Sequence, residues 1–176
     1  MRKLLEHLEN TQNPIKVGLI GCGRFGSMAA SQIFRTTGMI LSLVCDINTQ
    51  SAINNLENAG IPKDLLNDIS LKSKISPKTH TTNINITDDF SSLLKSDIDV
   101  IVESTGNPEV GAYNAYQAIQ SEKHLIMVNV EADVLVGPIL NKLALSKNVV
   151  YSLAFGDQPA LIEELYDWAM STGFEV

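Results

Sequence analysis

The fold of this 176-residue chain is decided by the stretch IKVGLIGCGRFG, residues 15–26. Its first six residues are mostly apolar, with three β-branched side chains, which predicts a short buried strand. Gly21, Gly23 and Gly26 follow in a G-x-G-x-x-G pattern, and residues 24–37 carry apolar side chains at helical spacing. A strand, a glycine turn and a helix in this order predict the opening of a βαβ unit.

Each glycine of this turn has a separate physical role if the loop binds the pyrophosphate of a dinucleotide. Gly21 permits the tight turn, Gly23 lets the backbone approach the phosphates, and Gly26 lets the helix pack closely on the strand. The unpaired N–H groups and positive dipole end of the helix then face the anion. The alternative is a purely structural turn between strand and helix, and the βαβ context favours the phosphate loop.

An acidic residue stands where a nicotinamide dinucleotide would present its adenosine ribose. Asp46 ends the second predicted strand, 20 residues beyond Gly26, and its carboxylate can accept hydrogen bonds from ribose hydroxyls. A 2′-phosphate would meet like charge there, and residues 47–50 (INTQ) contain no arginine. The sequence therefore favours NAD, with NADP as the alternative because Arg24 could reach a phosphate. A solvated acid at a strand end is the competing interpretation of Asp46.

Further strands and helices alternate along the rest of the chain. Apolar runs predict strands at residues 39–45, 83–87, 98–103, 125–130 and 149–153. Helical patterns predict helices at residues 50–59, 137–146 and 158–171, a short helix capped by Asp88-Asp89 that runs to residue 95, and a helix that opens at residues 107–109. Strands that are apolar throughout are typical of parallel sheets covered on both faces. We therefore expect an α/β fold, a Rossmann-type doubly wound parallel sheet of about six strands with helices on both faces.

The same pattern gives the expected domain organisation. Residues 1–14 form a short helical extension that the Asn13-Pro14 pair ends, and residues 15–157 form the NAD(P)-binding Rossmann domain. Residues 158–176 are expected to be a connecting helix and the start of a truncated substrate domain. Residues 67–82 are polar and lack periodicity, which predicts a long, mobile and dispensable loop.

Ligands of open α/β sheets bind beyond the carboxyl ends of the strands, which three later segments reach. They are residues 103–107 (ESTGN), 129–133 (NVEAD) and 154–159 (AFGDQP). Gly106 would allow close approach to the nicotinamide side of a cofactor, and Thr105 and Asn129 supply neutral hydrogen-bonding groups. Asn107 and Asp157 are expected to cap helices. Structural and functional roles compete evenly for three acids of these segments, Glu103, Glu131 and Asp133.

Composition excludes several classes of partner. The net charge is −7, and no lysine or arginine stripe exists that could neutralise a nucleic-acid backbone. No apolar run approaches the roughly 18 residues of a bilayer span. Polar residues from Glu6 to Asn10 interrupt the segment that a signal peptide would need, so a cytoplasmic location is expected. Cys22, Cys45 and the three histidines lack metal-ligand spacing, and no metal is expected.

Several motifs together resemble a known family. VGLIGCGRFG, VCD, IDVIVESTG, VNVEADVLVGPIL and GDQPAL are similar to the cofactor domain of homoserine dehydrogenase-like oxidoreductases. The resemblance is to the bacterial branch that usually carries a following SAF-type domain and includes deoxyxylulose-phosphate reductoisomerase-like members. It implies dinucleotide phosphates at Gly21, Gly23, Arg24, Phe25 and Gly26, adenosine ribose at Asp46, and nicotinamide-side contacts at Ser104, Thr105, Gly106 and Asn129.

One departure from the family bears on the substrate. Homoserine dehydrogenases have Asn-Lys after the fifth strand, whereas this chain has Asn129-Val130, which argues against homoserine. The family's catalytic lysines lie in a substrate domain that these residues do not reach. The resemblance implies an NAD(P)-dependent oxidoreductase acting on a small carbonyl or alcohol, its catalytic residues unknown.

We expect the isolated chain to be inactive, with a separately encoded C-terminal half or a homo-oligomer as candidate partners. The alternatives are a non-catalytic dinucleotide-binding module and a truncated gene remnant.

Overall fold

The computed structural model describes residues 2–70, 83–154, 156 and 158–176. The strands are β1 (Ile15–Ile20), β2 (Met39–Cys45), β3 (Leu66–Asp68), β4 (Ile84–Thr87), β5 (Val100–Glu103), β6 (His124–Met127) and β7 (Tyr151–Leu153). The helices are α1 (Arg2–Asn10), α2 (Arg24–Arg35), α3 (Thr49–Asn58), α4 (Phe90–Lys95), α5 (Pro108–Gln120), α6 (Val130–Ser146) and α7 (Gln158–Ser171), with a 3-10 turn at Lys63–Leu65.

The strands form one parallel sheet in the order β3-β4-β2-β1-β5-β6-β7. The strands up to β4 build one half and β5 to β7 build the other, so the direction of winding reverses between β1 and β5. A reversal of this kind opens a crevice at the carboxyl ends of the two central strands. The expected Rossmann-type doubly wound sheet is confirmed.

Helices cover both faces of the sheet, and β1 shows why its sequence is apolar from Val17 to Ile20. Leu19 packs into the core beneath α2 and α3, whereas Ile20 packs into the core beneath α4, α5 and α6. Gly18 faces the same core as Ile20, and an added Cβ there would lie 2.9 Å from Ile98 Cδ1. Because consecutive side chains of Val17–Ile20 enter opposite cores, this part of the strand has no polar face.

The sheet has seven strands where about six were expected, because β3 forms at its edge. The prediction of a loop from residue 67 is wrong for Asn67 and Asp68, which lie in this strand. β3 has only three residues, two of them polar, and the Asn67 amide donates to Asn85 Oδ1 at 3.0 Å. An edge strand of this composition has no apolar alternation to reveal it. The predicted mobility of the loop concerns residues 71–82, which lie outside the described part of the chain.

Helix α6 begins at Val130, seven residues earlier than the expected start at residue 137. The Asn129 side chain caps it by accepting a hydrogen bond from Ala132 N at 3.1 Å. Gly137 and Pro138, which suggested a helix start, lie inside the helix. An added Cβ at Gly137 would lie 2.3 Å from Asp133 Oδ1, so glycine there leaves room for that carboxylate. Residues 130–133 are therefore a first helical turn rather than a loop.

The terminal helices differ in how the body of the domain holds them. Glu9 of α1 accepts a hydrogen bond from Gly38 N at 3.0 Å, which fixes that helix beside β2. In α7, large apolar side chains such as Ile162, Leu165 and Trp168 are exposed.

Across the described residues, no helix has the length and apolarity that crossing a membrane would require.

Candidate functional site

A cleft of about 570 Å³ opens at the carboxyl ends of β1, β2 and β5, where the winding of the sheet reverses. Its described lining residues are Ile20, Gly21, Gly23, Cys45, Asp46, Ile47, Asp88, Phe90, Ser104, Thr105, Gly106, Asn107, Val110 and Asn114. The cleft therefore brings together the glycine turn, the acid after β2 and the segment after β5. These are the three features that sequence reasoning assigned to the site.

The glycine turn is shaped by two positions that exclude any side chain. Gly21 has φ +82°, and an added Cβ there would lie 2.9 Å from the Ser104 carbonyl oxygen. An added Cβ at Gly26 would lie only 2.0 Å from the Gly21 carbonyl oxygen. The start of α2 therefore packs directly on the turn.

Gly23 lines the cleft and leaves an open space in front of the helix. An added Cβ at this position would meet no atom within 4 Å. Gly23 is also the N-cap residue of α2 and contributes no side-chain cap. A helix start leaves its first N–H groups without intrahelical partners, and such groups bind phosphates. The turn therefore has the form of a phosphate cradle, which a side chain at Gly23 would fill.

Asp46 is held in a fixed orientation at the end of β2. Its Oδ2 accepts a hydrogen bond from Cys22 N at 2.7 Å, and its Oδ1 accepts one from Asn48 N at 2.9 Å. Each carboxylate oxygen has a second lone pair, so ribose hydroxyls could still donate to it. The neighbouring Ile47 is 98% exposed although it is apolar, and it lines the same end of the cleft.

This end of the cleft is acidic, and its cysteines are inert. Burial, assisted by the negative charges of Asp46, Asp88 and Asp89, raises the pKa of Cys45 to about 12. Burial and Asp46 raise the pKa of Cys22 to about 12. Thiols with such values are not nucleophiles at neutral pH. Within the described residues, no cluster of three or more metal-ligating side chains occurs.

The segment after β5, residues 104–107, forms the opposite wall and is tied to the glycine turn. Ser104 Oγ donates to the carbonyl oxygens of Ile20 and Gly21 at 2.9 and 2.7 Å. Asn107 caps α5, where its Oδ1 accepts from Glu109 N at 3.0 Å. The 104–107 segment is thus anchored at both ends, and Gly106 in its middle has open space around an added Cβ.

Asn129 lies behind this segment and is only 4% exposed. Its Nδ2 donates to the carbonyl oxygens of Thr105 and Asn107 at 2.8 and 2.9 Å, while its Oδ1 caps α6. Both polar atoms of its side chain are therefore hydrogen-bonded to backbone atoms of the domain. In this arrangement Asn129 supports the wall of the cleft from behind.

Glu103, the last residue of β5, is the most unusual group near the cleft because its side chain is completely buried. Its Oε1 accepts hydrogen bonds from both the backbone N and the Oγ1 of Thr105. Its Oε2 has no hydrogen-bond partner. Burial is the largest effect on the carboxyl and raises its pKa, outweighing the opposite effects of Thr105 and the Asn114 side chain.

The structure separates the predicted site residues into three groups. Those that line the cleft are Gly21, Gly23, Asp46, Ser104, Thr105 and Gly106. Gly26 and Asn129 are buried behind it, and Arg24 and Phe25 are exposed on the first turn of α2. Sequence reasoning missed several lining residues, namely Ile47, Asp88, Phe90, Val110 and Asn114. Ile47 and Asp88 could have been predicted from the sequence, because both closely follow the carboxyl end of a strand.

Comparison with known families gives this geometry its context. A family model described as the homoserine dehydrogenase NAD-binding domain matches residues 21–151. The chain belongs to this family. The NAD-binding domain assigned by the match contains the glycine turn, Asp46 and the 104–107 segment, which confirms the expected nicotinamide dinucleotide. A comparison with curated protein sequences found no match.

Solved structures share the fold of this NAD-binding domain at low sequence identity. GenD2 from gentamicin A biosynthesis, in complex with NAD, has a TM-score of 0.60 and 15% identity over 80% of this chain and 34% of that chain. The WlbA dehydrogenase from Bordetella pertussis, in complex with NADH and UDP-GlcNAcA, has a TM-score of 0.60 and 18% identity; the match covers 91% of this chain and 40% of that chain. Homoserine dehydrogenase from S. aureus has a TM-score of 0.52 and 18% identity; the match covers 80% of this chain and 32% of that chain. The chain thus spans two fifths or less of each of these proteins.

Proposed function

We propose that this chain is the cofactor-binding part of an NAD-dependent oxidoreductase that acts on a small carbonyl or alcohol. The observation that carries the proposal is the open cradle at Gly23, located at a helix start opposite the oriented carboxylate of Asp46. A nicotinamide cofactor bound there would supply the hydride chemistry. The contribution of this chain is to bind and orient it.

Each wall of the cleft has a role in this proposal. The backbone from Gly21 to Gly26 would bind the pyrophosphate, and Asp46 would accept hydrogen bonds from the adenosine ribose. The 104–107 segment would contact the nicotinamide side, with Asn129 and Glu103 holding it in place. Arg24 and Phe25, exposed beside the cradle, are proposed to contact the phosphates from outside.

The acidic end of the cleft supports a preference for NAD over NADP. Asp46 and Asp88 both line it, and none of its described lining residues is a lysine or arginine. A 2′-phosphate carries negative charge, so it would meet two carboxylates without a compensating cation. Arg24, which directly follows Gly23 of the cradle, is the basic residue through which NADP would still be accepted.

The substrate and the acid–base step are proposed to depend on residues beyond this cleft. Reduction of a carbonyl requires a proton donor near neutral pH, and the described lining contains no lysine, histidine or tyrosine. The whole enzymes of similar fold are much longer than this chain. We therefore propose a cytoplasmic enzyme in which residues 15–157 bind the cofactor and residues 158–176 connect to a substrate-binding part. That part could be joined covalently or encoded separately.

Titration with NADH tests the proposed function directly. Purified chain should enhance or shift NADH fluorescence with a dissociation constant below about 1 mM, the upper end of the usual range for enzyme ligands. Gly23→Val should abolish this binding without unfolding the chain, because the new side chain fills the cradle. Met28→Val, an exposed change on the same helix, is the matched control. Failure of folded wild-type chain to bind either NADH or NADPH would refute the proposal.

A further inference from the structure

The buried carboxyl of Glu103 lies among groups that cannot neutralise a charge. Its strand neighbours across the sheet are Ile20 of β1 and Met127 of β6, both apolar. On α5, the Asn114 side chain favours the charged form but makes no hydrogen bond of good geometry to Oε2. An unpaired charge in such a place is unfavourable, and a buried carboxyl usually escapes this by keeping its proton.

The titratable groups that face Glu103 from the remaining elements are also not basic. Tyr151 of β7 feels the charge of Glu103, which contributes to raising the pKa of its phenol. The Tyr151 hydroxyl donates to Asp133 Oδ1 of α6 at 2.5 Å. An ionised Glu103 would therefore face a neutral phenol with a carboxylate behind it. Among the described groups that act on Glu103, none carries a positive charge.

The absence of a partner for Oε2 has a structural cause at Gly111 of α5. An added Cβ there would lie 3.0 Å from Glu103 Oε2 and 2.7 Å from Asn129 Nδ2, so both atoms lie against this glycine. The two protons of Nδ2 are already donated to the carbonyl oxygens of Thr105 and Asn107. Asn129 therefore has no donor left for Oε2, and the helix backbone at Gly111 closes the space.

We propose that the neutral carboxyl of Glu103 positions the 104–107 segment, and that the protonation of Glu103 is therefore coupled to cofactor binding. In the neutral acid, the carbonyl oxygen Oε1 accepts both hydrogen bonds from Thr105 and holds the 104–107 segment against the cleft. On ionisation, the buried Oε2 requires water or a donor, and the segment must move to admit one. This inference rests on the proposed function for its effect on cofactor affinity.

The direction of the pH dependence follows from the burial of the group. Burial raises the pKa of Glu103 above its ordinary value of 4.5, so the folded chain holds the proton more tightly than the unfolded chain. The contribution of this group to stability is complete below pH 4.5 and declines as pH rises toward the folded pKa. Cofactor affinity should likewise decline as pH rises through that folded pKa, by at most about tenfold per pH unit for one proton.

Glu103→Gln tests this inference because glutamine has the shape of the neutral acid and does not titrate. NADH dissociation constants should be measured from pH 5.5 to 8.5 for the wild type, for Glu103→Gln, and for Glu164→Gln, a control at an exposed glutamate of α7. Urea unfolding without cofactor should be followed over the same range. We expect the wild type and the control to lose affinity with rising pH, whereas Glu103→Gln keeps the low-pH affinity throughout.

The two measurements separate this inference from the proposed function. Without cofactor, the stability advantage of Glu103→Gln over the wild type should grow as pH rises, even if no dinucleotide binds. If the difference in free energy of unfolding between Glu103→Gln and the wild type does not change with pH, or if Glu103→Gln fails to fold, the proposed neutral carboxyl is wrong. Equal pH slopes of NADH affinity in wild type and Glu103→Gln would overturn the coupling. Absence of NADH binding at every pH would instead refute the proposed function.

Discussion

Replacing Gly26 by alanine should destabilise the chain because it separates α2 from the glycine turn. The new Cβ would lie 2.0 Å from the Gly21 carbonyl oxygen, and ordinary contact begins near 3.4 Å, so the helix must shift by about 1.4 Å. Such a shift disturbs the buried Ala30 and the 2.7 Å hydrogen bond from Ser31 Oγ to the Ala59 carbonyl oxygen. Overpacking costs about 1–3 kcal/mol, and alanine recovers up to about 1 kcal/mol of helix propensity. Because the clash is with a backbone atom, we expect a cost near the upper end, about 3 kcal/mol, and therefore a net loss of about 2 kcal/mol.

Urea unfolding followed by circular dichroism measures this loss, with Gly23→Ala as the matched control. At m-values of about 1–3 kcal/mol/M, Gly26→Ala should lower the midpoint by roughly 1 M. Gly23→Ala should lose less, about 0.5–1 kcal/mol for a weaker N-cap, because its Cβ enters open space and φ at this position is −73°. The reasoning is refuted if Gly26→Ala is as stable as the wild type, or if both variants lose the same stability.

Three further outcomes are expected. Asp46→Asn should weaken the preference for NADH over NADPH in fluorescence titrations, and Asp88→Asn should do so to a smaller extent. If the ratio of the two dissociation constants is unchanged in both variants, these carboxylates do not repel the 2′-phosphate. Asn129→Ala should cost about 2 kcal/mol in urea unfolding, because the carbonyl oxygens of Thr105 and Asn107 lose their donor and α6 loses its cap; wild-type stability would contradict that role. The isolated chain should show no NADH oxidation or NAD reduction with small hydroxy acids, amino alcohols or sugar phosphates, and steady-state turnover by these residues alone would disprove the proposal.

The glycine turn was predictable because its requirements are local. The turn at Gly21 and the close packing at Gly26 depend on a strand and a helix that are adjacent in sequence. The position of Asp46 follows in the same way from the end of β2. Rules of spacing therefore placed both features correctly before any long-range contact was known.

The segment from residue 129 to 138 shows where local signals mislead. Gly137 and Pro138 are typical of helix starts and turns, yet both lie inside α6. The helix begins earlier because Asn129 caps it while its Nδ2 binds the distant 104–107 segment. That second interaction joins residues more than twenty positions apart, and no periodicity in the sequence reveals it.

Glu103 marks a further limit of sequence reasoning. Its place at the carboxyl end of β5 was predictable, and from sequence alone a solvated role and a functional role were equally acceptable. Its complete burial results from the packing of β1, β6 and α5 around it, which only the tertiary structure provides. The same holds for Phe90 and Val110, whose place in the cleft depends on how their helices pack.

Amide chemical shifts during titration with NADH measure whether a nicotinamide dinucleotide binds between the carboxyl ends of β1 and β5. We expect the amide signals of Gly23, Asp46, Thr105 and Gly106 to shift together and to saturate with one dissociation constant. Signals on α7, such as that of Trp168, should not move. Absence of any shift at millimolar NADH, or shifts confined to residues outside the cleft, would contradict binding at this site.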